Sequence, residues 1–235
     1  GMRIGIPKEY FGHALAPDVK ARVDAAIQTL AAQGAEIKEV SLPHTDYAVS
    51  VYYVVGPCEA SSNLARFDGV RFGTRDQEAE SLLKMYNQSR QKGFGPESKR
   101  RIVLGTFALS SGYYDAYYRK AMQVRRKMIE DFTHVYKEVD CLVTPTAPGG
   151  AFKIGEKTED PLSMYLSDIF TIAANLTGVP AISVPCGVDE GGMPVGIQFM
   201  GKPFDESALL KVAYAYQEAS GFKGMAPKQA SSANS

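Results

Sequence analysis

The fold of this chain is decided by residues 161–201, which read PLSMYLSDIFTIAANLTGVPAISVPCGVDEGGMPVGIQFMG. Apolar residues recur every three or four positions in the first part, the spacing of one face of a helix. They are Leu162, Tyr165, Ile169, Ile172 and Leu176. Gly178 and Pro180 follow, and both residue types end helices just past the last turn. The first part therefore predicts one continuous helix.

Two short apolar runs follow the predicted helix, at 181–186 and 195–200. Their apolar residues alternate with others, and turn residues at 189–194 separate them, which predicts two adjacent strands. One carboxylate, Asp168, lies inside the otherwise apolar helix. A single acid on a helix is usually solvated, so the pattern alone favours a solvent-exposed position for Asp168 over a role in binding.

The beginning of the chain predicts a strand–helix–strand unit. RIGI at 3–6 is a short apolar strand, Pro17 opens a helix that ends at Gly34, and EIKEV at 36–40 is the next strand. A crossover between two strands through a helix makes the strands parallel and the connection right-handed. The sheet therefore starts with a parallel pair.

The middle of the chain has few strand signals and several helical ones. Its last helical segment, residues 114–136, carries an apolar stripe typical of an amphipathic helix. The stripe consists of Ala121, Val124, Met128, Phe132 and Val135. CLVTP at 141–145 returns to strand, and a closing helix runs from its N-cap Asp205 to Gly221.

Together these elements predict an α/β fold: a mixed β-sheet with helices on both faces and a helical insertion on one. We expect one domain over residues 2–224, with the insertion at 46–136. Residues 146–160 are rich in Gly, Pro and charge and should form a loop. The small polar residues of 225–235 predict a disordered tail.

The composition argues against several classes of partner. The 26 basic and 26 acidic residues leave no net charge, so no global field draws the chain to nucleic acid or to an anionic membrane. No apolar run approaches the ~18 residues that a membrane span needs. Cys58, Cys141 and Cys186 are odd in number and lack metal-ligand spacing, which predicts reduced, buried thiols of a cytosolic protein.

The charged residues that could recognise a ligand are Arg101 and Asp168. Arg101 ends the basic run at 99–101 and precedes the apolar residues 102–104, which we expect to be buried. An arginine at such a margin can hold a planar carboxylate through two parallel hydrogen bonds, and an aspartate can hold an ammonium group. The pair would recognise a free α-amino acid. The alternatives are a solvated basic run with an unrelated surface aspartate, or an internal salt bridge.

Longer stretches of the sequence resemble the carboxyl-terminal half of amidase-signature enzymes. They include RIGIPKEYF (3–11), EASSNLARFDGVRFG (59–73), GTFALSSGYYDAYY (105–118), DPLSMYLSDIFT (160–171), ANLTGVPAISVPCG (174–187), MPVGIQFMGKPFDE (193–206) and LLKVAYAYQ (209–217). The resemblance covers nearly the whole chain. Within this family, the sequence most resembles the glutaminase subunits of tRNA-dependent amidotransferases.

The resemblance implies a function and its partners. The parent enzyme would hydrolyse glutamine through a seryl acyl-enzyme and pass the ammonia to a partner subunit. That partner would use ATP and Mg to convert Glu-tRNA(Gln) into Gln-tRNA(Gln). The implied partners are glutamine, the B and C subunits and, mainly through the B subunit, Glu-tRNA(Gln). The implied location is the cytoplasm, and the chain itself would hold no cofactor or metal.

The resemblance also implies binding residues for glutamine. In the glutamine-using subgroup, an arginine of the KRRI segment and an aspartate of the MYxxD segment bind the backbone of the donor. A tyrosine of a tyrosine pair adds a hydroxyl contact. These positions match Arg101, Asp168 and Tyr52, and Tyr53 competes with Tyr52 for the last role.

Amidase-signature catalysis uses a lysine and two serines in a Gly–Ser-rich segment, and this sequence contains no such segment. The serine pairs at 61–62 and 110–111 lack the flanking glycines that would let backbone N–H groups approach a substrate. We therefore assign no catalytic residue and expect the chain alone to be inactive. Two alternatives stay open: a general amidase acting on another small amide, and a non-catalytic module that binds partner subunits.

Five basic residues between positions 119 and 127 lie on the polar side of the last insertion helix. They are Arg119, Lys120, Arg125, Arg126 and Lys127. Acids follow at once, at 130 and 131, and helix faces are usually charged. The pattern therefore favours a solvated face over direct contact with the phosphates of tRNA.

Overall fold

A mixed five-stranded sheet organises the structure, a computed structural model that describes residues 1–12, 15–156 and 161–222. The strands in chain order are β1 (Arg3–Pro7), β2 (Glu36–Val40), β3 (Cys141–Pro145), β4 (Ala181–Val188) and β5 (Pro194–Gly201). Their spatial order is β2-β1-β3-β5-β4. The β1 strand runs parallel to β2 and β3, whereas β5 is antiparallel to both β3 and β4.

Eight α-helices accompany the sheet in the described part of the chain. They are α1 (Pro17–Ala32), α2 (Ala48–Leu64), α3 (Leu82–Gly93), α4 (Pro96–Ala108), α5 (Lys120–Val135), α6 (Pro161–Leu166), α7 (Ile169–Thr177) and α8 (Glu206–Ser220). Short 3-10 helices lie at Lys8–Phe11 and Pro43–Tyr47. A π-helical turn at Asp115–Arg119 precedes α5.

The described residues form two compact units. The sheet unit combines Gly1–Ala48 with the chain from Lys127 onward, and the helical unit is Val49–Arg126. The helical unit contains no strand among its residues, all of which the structure describes. The bounds 46–136 for a helical insertion stay a prediction, and the tail predicted at 225–235 lies outside the described residues.

Alternation along β5 places helices on both faces of the sheet. The ring of Phe199, which is fully buried, lies 5.7 Å from the ring of Tyr216 on α8. The preceding residue, Gln198, reaches the carbonyl oxygen of Phe170 on α7 over 3.0 Å. Because successive side chains of a strand point to opposite faces, α8 and α7 cover opposite faces. This confirms the predicted α/β architecture.

The predicted strands are all present, and the closing helix has the predicted ends. The carboxylate of Asp205 accepts a hydrogen bond from the backbone N–H of Ala208 over 3.3 Å, as an N-cap does. Gly221 follows the last turn with a φ of +74°, the left-handed conformation that favours glycine. Cap chemistry was therefore sufficient to place this helix.

The prediction of one continuous helix across residues 162–176 is wrong, because the chain breaks between α6 and α7. The backbone N–H groups of Ser167 and Asp168 donate to carbonyls three residues back, those of Met164 (3.1 Å) and Tyr165 (3.3 Å). This tight turn replaces the α-helical pattern. Serine and aspartate favour helix ends because their side chains compete with helical backbone bonds. Asp168 is accordingly the N-cap of α7.

The segment predicted as one amphipathic helix at 114–136 is mostly helical but begins with the π-helical turn. There the N–H of Arg119 donates to the carbonyl of Tyr114, five residues back, over 3.0 Å. Four residues of the predicted stripe are buried and Val124 is half-buried. None of the described helices is long and apolar enough to cross a membrane.

The three cysteines are free and buried, as the sequence predicted. Burial raises the pKa of Cys141 to about 12 and the pKa of Cys186 to about 11. Burial also raises the pKa of Cys58. All three therefore stay protonated thiols near neutral pH, and packing is their role.

Asp140 ties β1, β3 and β5 together at one end of the sheet. Its carboxylate accepts hydrogen bonds from the backbone N–H of Arg3 (3.0 Å) and from the Arg3 guanidinium (2.6 and 3.2 Å). The ammonium of Lys202, which follows β5, lies 3.4 Å away. Hydrogen bonding to Arg3 holds the pKa of Asp140 well below its usual range. The pair therefore stabilises the folded state only while the carboxylate is ionised.

Replacing Asp140 by Asn should lower the free energy of unfolding by about 1 kcal/mol at pH 7, a modest value because solvent screens a partly exposed pair. The folded carboxyl has the lower pKa, so its contribution is present above the unfolded pKa of about 3.9 and is lost as the pH falls below it. Urea denaturation at pH 7 and near pH 3 checks this. If the free energies of unfolding of the wild type and the variant differ by the same amount at both pH values, the account is contradicted.

Candidate functional site

Arg101 and Tyr52 meet on neighbouring helices of the helical unit. Nη1 of Arg101, on α4, donates to the Tyr52 hydroxyl, on α2, over 3.0 Å. Nε of Arg101 donates to Oε1 of Glu97, one turn earlier on α4, over 2.9 Å. Glu97 and then Tyr52 raise the pKa of the Arg101 guanidinium, which is therefore permanently charged. Within the described chain, Nη2 has no hydrogen-bond partner, so this end of the fork can take a ligand.

A close crossing of α2 and α4 holds this pair in place. A Cβ atom at Gly105, one turn after Arg101, would lie only 2.0 Å from the carbonyl oxygen of Pro57 on α2. Glycine is therefore required for the approach. Beside the crossing, the hydroxyls of Ser61 and Thr106 share a hydrogen bond of 2.9 Å. The contact at Gly105, one turn after Arg101, thus sets the distance between α2 and α4 near the arginine.

Of the two candidate tyrosines, Tyr52 is the one that the structure brings to Arg101. The guanidinium carbon of Arg101 also lies 5.9 Å from the centroid of the Tyr52 ring. The ring of Tyr53 packs edge-on against the Tyr52 ring, with centroids 5.2 Å apart and an interplanar angle of 86°. The geometry therefore favours Tyr52 for the hydroxyl contact.

The expectation that residues 102–104 are buried is wrong. Val103 is 68% exposed and Leu104 is 48% exposed, and the buried residue of this turn is Gly105. Arg101 is nevertheless the more sheltered arginine of the basic run: its side chain is 32% exposed, against 53% for Arg100. The sheltering comes from α2 and not from the apolar residues that follow.

Asp168 belongs to the sheet unit, where it is exposed at the break between α6 and α7. Its backbone carbonyl accepts hydrogen bonds from the N–H groups of Thr171 (3.0 Å) and Ile172 (3.2 Å) and so begins α7. Its carboxylate, in contrast, makes no capping hydrogen bond to that helix. The backbone of Asp168 is therefore structural, while its charge is left for another partner.

A cavity of about 600 Å³ lies in the sheet unit beside this turn. Leu166 and Ser167 form part of its wall. At the strands, the hydroxyls of Thr146 and Ser183 share a hydrogen bond of 2.7 Å. They sit directly over Gly196, where an added Cβ would approach both hydroxyl oxygens to within 2.8 Å. The lining thus includes two hydroxyl groups whose placement depends on a glycine.

Thr146 and Ser183 did not appear among the residues predicted from the sequence. One signal could have found them: Gly196 lies inside a strand pattern, where glycine often marks a close approach.

Two of the basic residues predicted as a solvated face pair with acids, Arg119 with Asp115 and Lys127 with Glu130. Among the described residues, no group of three or more His, Cys, Asp or Glu side chains could hold a metal ion.

The amidase family model matches residues 1–210 of the chain. The A subunit of glutamyl-tRNA(Gln) amidotransferase from Koribacter versatilis is 58% identical over 219 residues, which are 93% of this chain and 46% of that protein. The corresponding A subunit from Geotalea daltonii is 59% identical over 218 residues, 93% of this chain and 45% of its own length. The chain thus spans somewhat less than half the length of these relatives.

Solved structures agree with this similarity. The crystal structure of the glutamyl-tRNA(Gln) amidotransferase A subunit from Thermotoga maritima is 40% identical and superposes with a TM-score of 0.72, over 95% of this chain and 44% of that one. A bacterial aryl acylamidase of the amidase signature family has a TM-score of 0.68 at 17% identity, over 94% of this chain and 44% of its own. The second likeness shows a shared fold.

Replacing Gly105 by Ala should lower the free energy of unfolding by about 1–3 kcal/mol, because the new methyl group must push α4 away from the Pro57 carbonyl. Gly93, on α3, is the matched control: a Cβ there would meet nothing within 4 Å. Gly93→Ala should leave stability unchanged or slightly higher. Urea denaturation followed by circular dichroism measures both. Equal midpoints for the two variants would contradict the role of the crossing.

Proposed function

The chain belongs to the amidase family, and from this we propose that it is the glutamine-recognising, carboxyl-terminal half of the A subunit of a tRNA-dependent amidotransferase. In this proposal the A subunit releases ammonia from glutamine. The B and C subunits then use the ammonia, with ATP and Mg, to convert Glu-tRNA(Gln) into Gln-tRNA(Gln) in the cytoplasm. Support comes from the relatives that carry the name of this amidotransferase, of which two are 58% and 59% identical.

The observation that carries the proposal is the hydrogen bond from Arg101 to Tyr52. Glu97 and Tyr52 hold the guanidinium through Nε and Nη1, and in the described chain Nη2 keeps its N–H groups to donate. A carboxylate matches that planar fork with two parallel hydrogen bonds. The Tyr52 hydroxyl accepts from Arg101, so its own proton is available for the same carboxylate. This is a site suited to the α-carboxylate of an amino acid.

Asp168 has the second proposed role, which is to bind the α-ammonium group of glutamine. Its carboxylate is exposed and makes no capping hydrogen bond to α7. A charged substrate group is a better partner for it than an apolar amide, since a charge that loses water without gaining a partner is costly. Asp168 would therefore favour a substrate with a free ammonium group over a simple amide.

Arg101→Lys tests the proposal in the complete A subunit, meaning this chain joined to the remainder that its relatives possess, assembled with B and C. Lysine is a point donor without the planar fork. Since a hydrogen bond to a charged group contributes about 1.5–3 kcal/mol, kcat/KM for glutamine should fall about 10- to 150-fold. Ammonium chloride supplied directly bypasses glutamine binding, so amidation driven by ammonium should stay nearly normal.

Arg100→Lys is the matched control, because Arg100 is the neighbouring and more exposed arginine. It should change kcat/KM for glutamine less than about twofold, as exposed ion pairs contribute little. Equal losses with glutamine and with ammonium in Arg101→Lys would show that Arg101 is structural. No loss with either nitrogen source would exclude Arg101 as the carboxylate ligand.

We also propose that residues 1–235 alone are catalytically inactive, since the sequence has no Gly–Ser-rich segment with the family's lysine and serines. The purified chain should release no ammonia from glutamine above the background rate. A coupled glutamate dehydrogenase assay measures this directly. Turnover that persists through repeated purification would show that the chain carries a nucleophile of its own.

A further inference from the structure

Gln198 is a buried polar residue on an interior strand of the sheet. It is 4% exposed and lies on β5 directly opposite Thr144 of β3, which is fully buried. Its amide nitrogen Nε2 donates to Oγ1 of Thr144 over 2.9 Å and to the carbonyl oxygen of Phe170 over 3.0 Å. A backbone carbonyl can only accept, so the amide must present its nitrogen there. Both of its protons are then used, and its orientation is fixed.

Phe170 is the second residue of α7, two positions after Asp168. Its ring is 5% exposed and packs on the ring of Tyr10, with centroids 5.5 Å apart. The first turn of α7 is therefore held at two points, the ring of Phe170 and the backbone carbonyl of Phe170. At the break between α6 and α7, the N–H of Asp168 donates to the Tyr165 carbonyl in a tight turn instead of continuing the α-helical pattern. The amide of Gln198 is a polar link from the sheet to the first turn of α7.

An amide at this position needs a physical reason. The neighbours of Gln198 along β5, Ile197 and Phe199, are both fully buried and apolar. Burying an amide costs free energy unless hydrogen bonds replace its water, and an apolar side chain would avoid that cost. On the other side of β5, Gln198 pairs in register with Ser183, whose hydroxyl lines the cavity beside the Asp168 turn. Gln198 is thus next to Ser183 in the sheet, and its amide contacts the first turn of α7.

We infer that Gln198 is a positioning residue that sets the place and direction of the Asp168 turn for binding of the substrate's ammonium group. The inference rests on the proposed role of Asp168 in glutamine recognition. Gln198 itself touches no substrate in this scheme. It acts through the Phe170 carbonyl, and Thr144 orients its amide.

Gln198→Met is the direct test, because methionine has a similar length but donates no hydrogen bond. In the complete A subunit with B and C, KM for glutamine should rise about 3- to 10-fold, the effect of losing a neutral hydrogen bond. The kcat should change less than about twofold, and amidation driven by ammonium should be unchanged. Ile197→Val is the control: it removes buried volume from the next residue of β5 without removing a hydrogen bond, and KM should not move.

A second readout follows the backbone of the turn. Amide hydrogen exchange over residues 168–174 should accelerate in Gln198→Met, while β3 and β5 keep their protection. Thr144→Val should raise KM less than Gln198→Met does. Combined with Gln198→Met it should add nothing further, because both changes act on one link.

Unchanged exchange over 168–174 in Gln198→Met would overturn the inference. The inference would also be overturned if Gln198→Met lost equal activity with glutamine and with ammonium and Ile197→Val lost as much. Such a result would indicate a general loss of stability. A complete wild-type enzyme with no glutamine-dependent amidation would instead refute the proposed function. The exchange measurement would then still decide whether Gln198 holds the turn.

Discussion

The antiparallel pairing of β5 between β3 and β4 is the constraint on which the sheet unit depends. It fixes which side chains of β5 face α8 and which face α7, since a shift of one residue would exchange the two sets. In the observed register Phe199 packs on α8 and Gln198 meets α7. The same register places Ser183 and Thr146 over Gly196. Both the core and the candidate cavity follow from one strand alignment.

The helical unit depends on a different constraint, the contact of Gly105 with the Pro57 carbonyl. Two helices that approach this closely cannot shift without losing packing, so side chains one turn away keep a defined distance. Arg101 and Tyr52 occupy that position. A guanidinium held at two nitrogens loses little conformational freedom when it binds a carboxylate, which favours binding. The placement of the charged group therefore depends on a glycine one turn away.

Local sequence patterns predicted the strands and the caps of α8 because alternation and cap residues act over a few positions. They did not predict the break at Ser167–Asp168, since the apolar spacing continues across it in phase. Burial of Val103 and Leu104 was predicted wrongly because exposure depends on what packs over a helix. The contact between Arg101 and Tyr52 joins residues 49 positions apart, and that between Gln198 and Thr144 joins residues 54 apart. Resemblance pointed to the first pair, and only the structure showed the second.

The most direct measurement of the central claim is a crystal structure of the complete A subunit with glutamine bound. The account predicts that the α-carboxylate of glutamine lies on the outer end of the Arg101 guanidinium and within hydrogen-bond distance, about 3 Å, of the Tyr52 hydroxyl. Glutamine bound at another place, with Arg101 contacting only Glu97 and Tyr52, would contradict it.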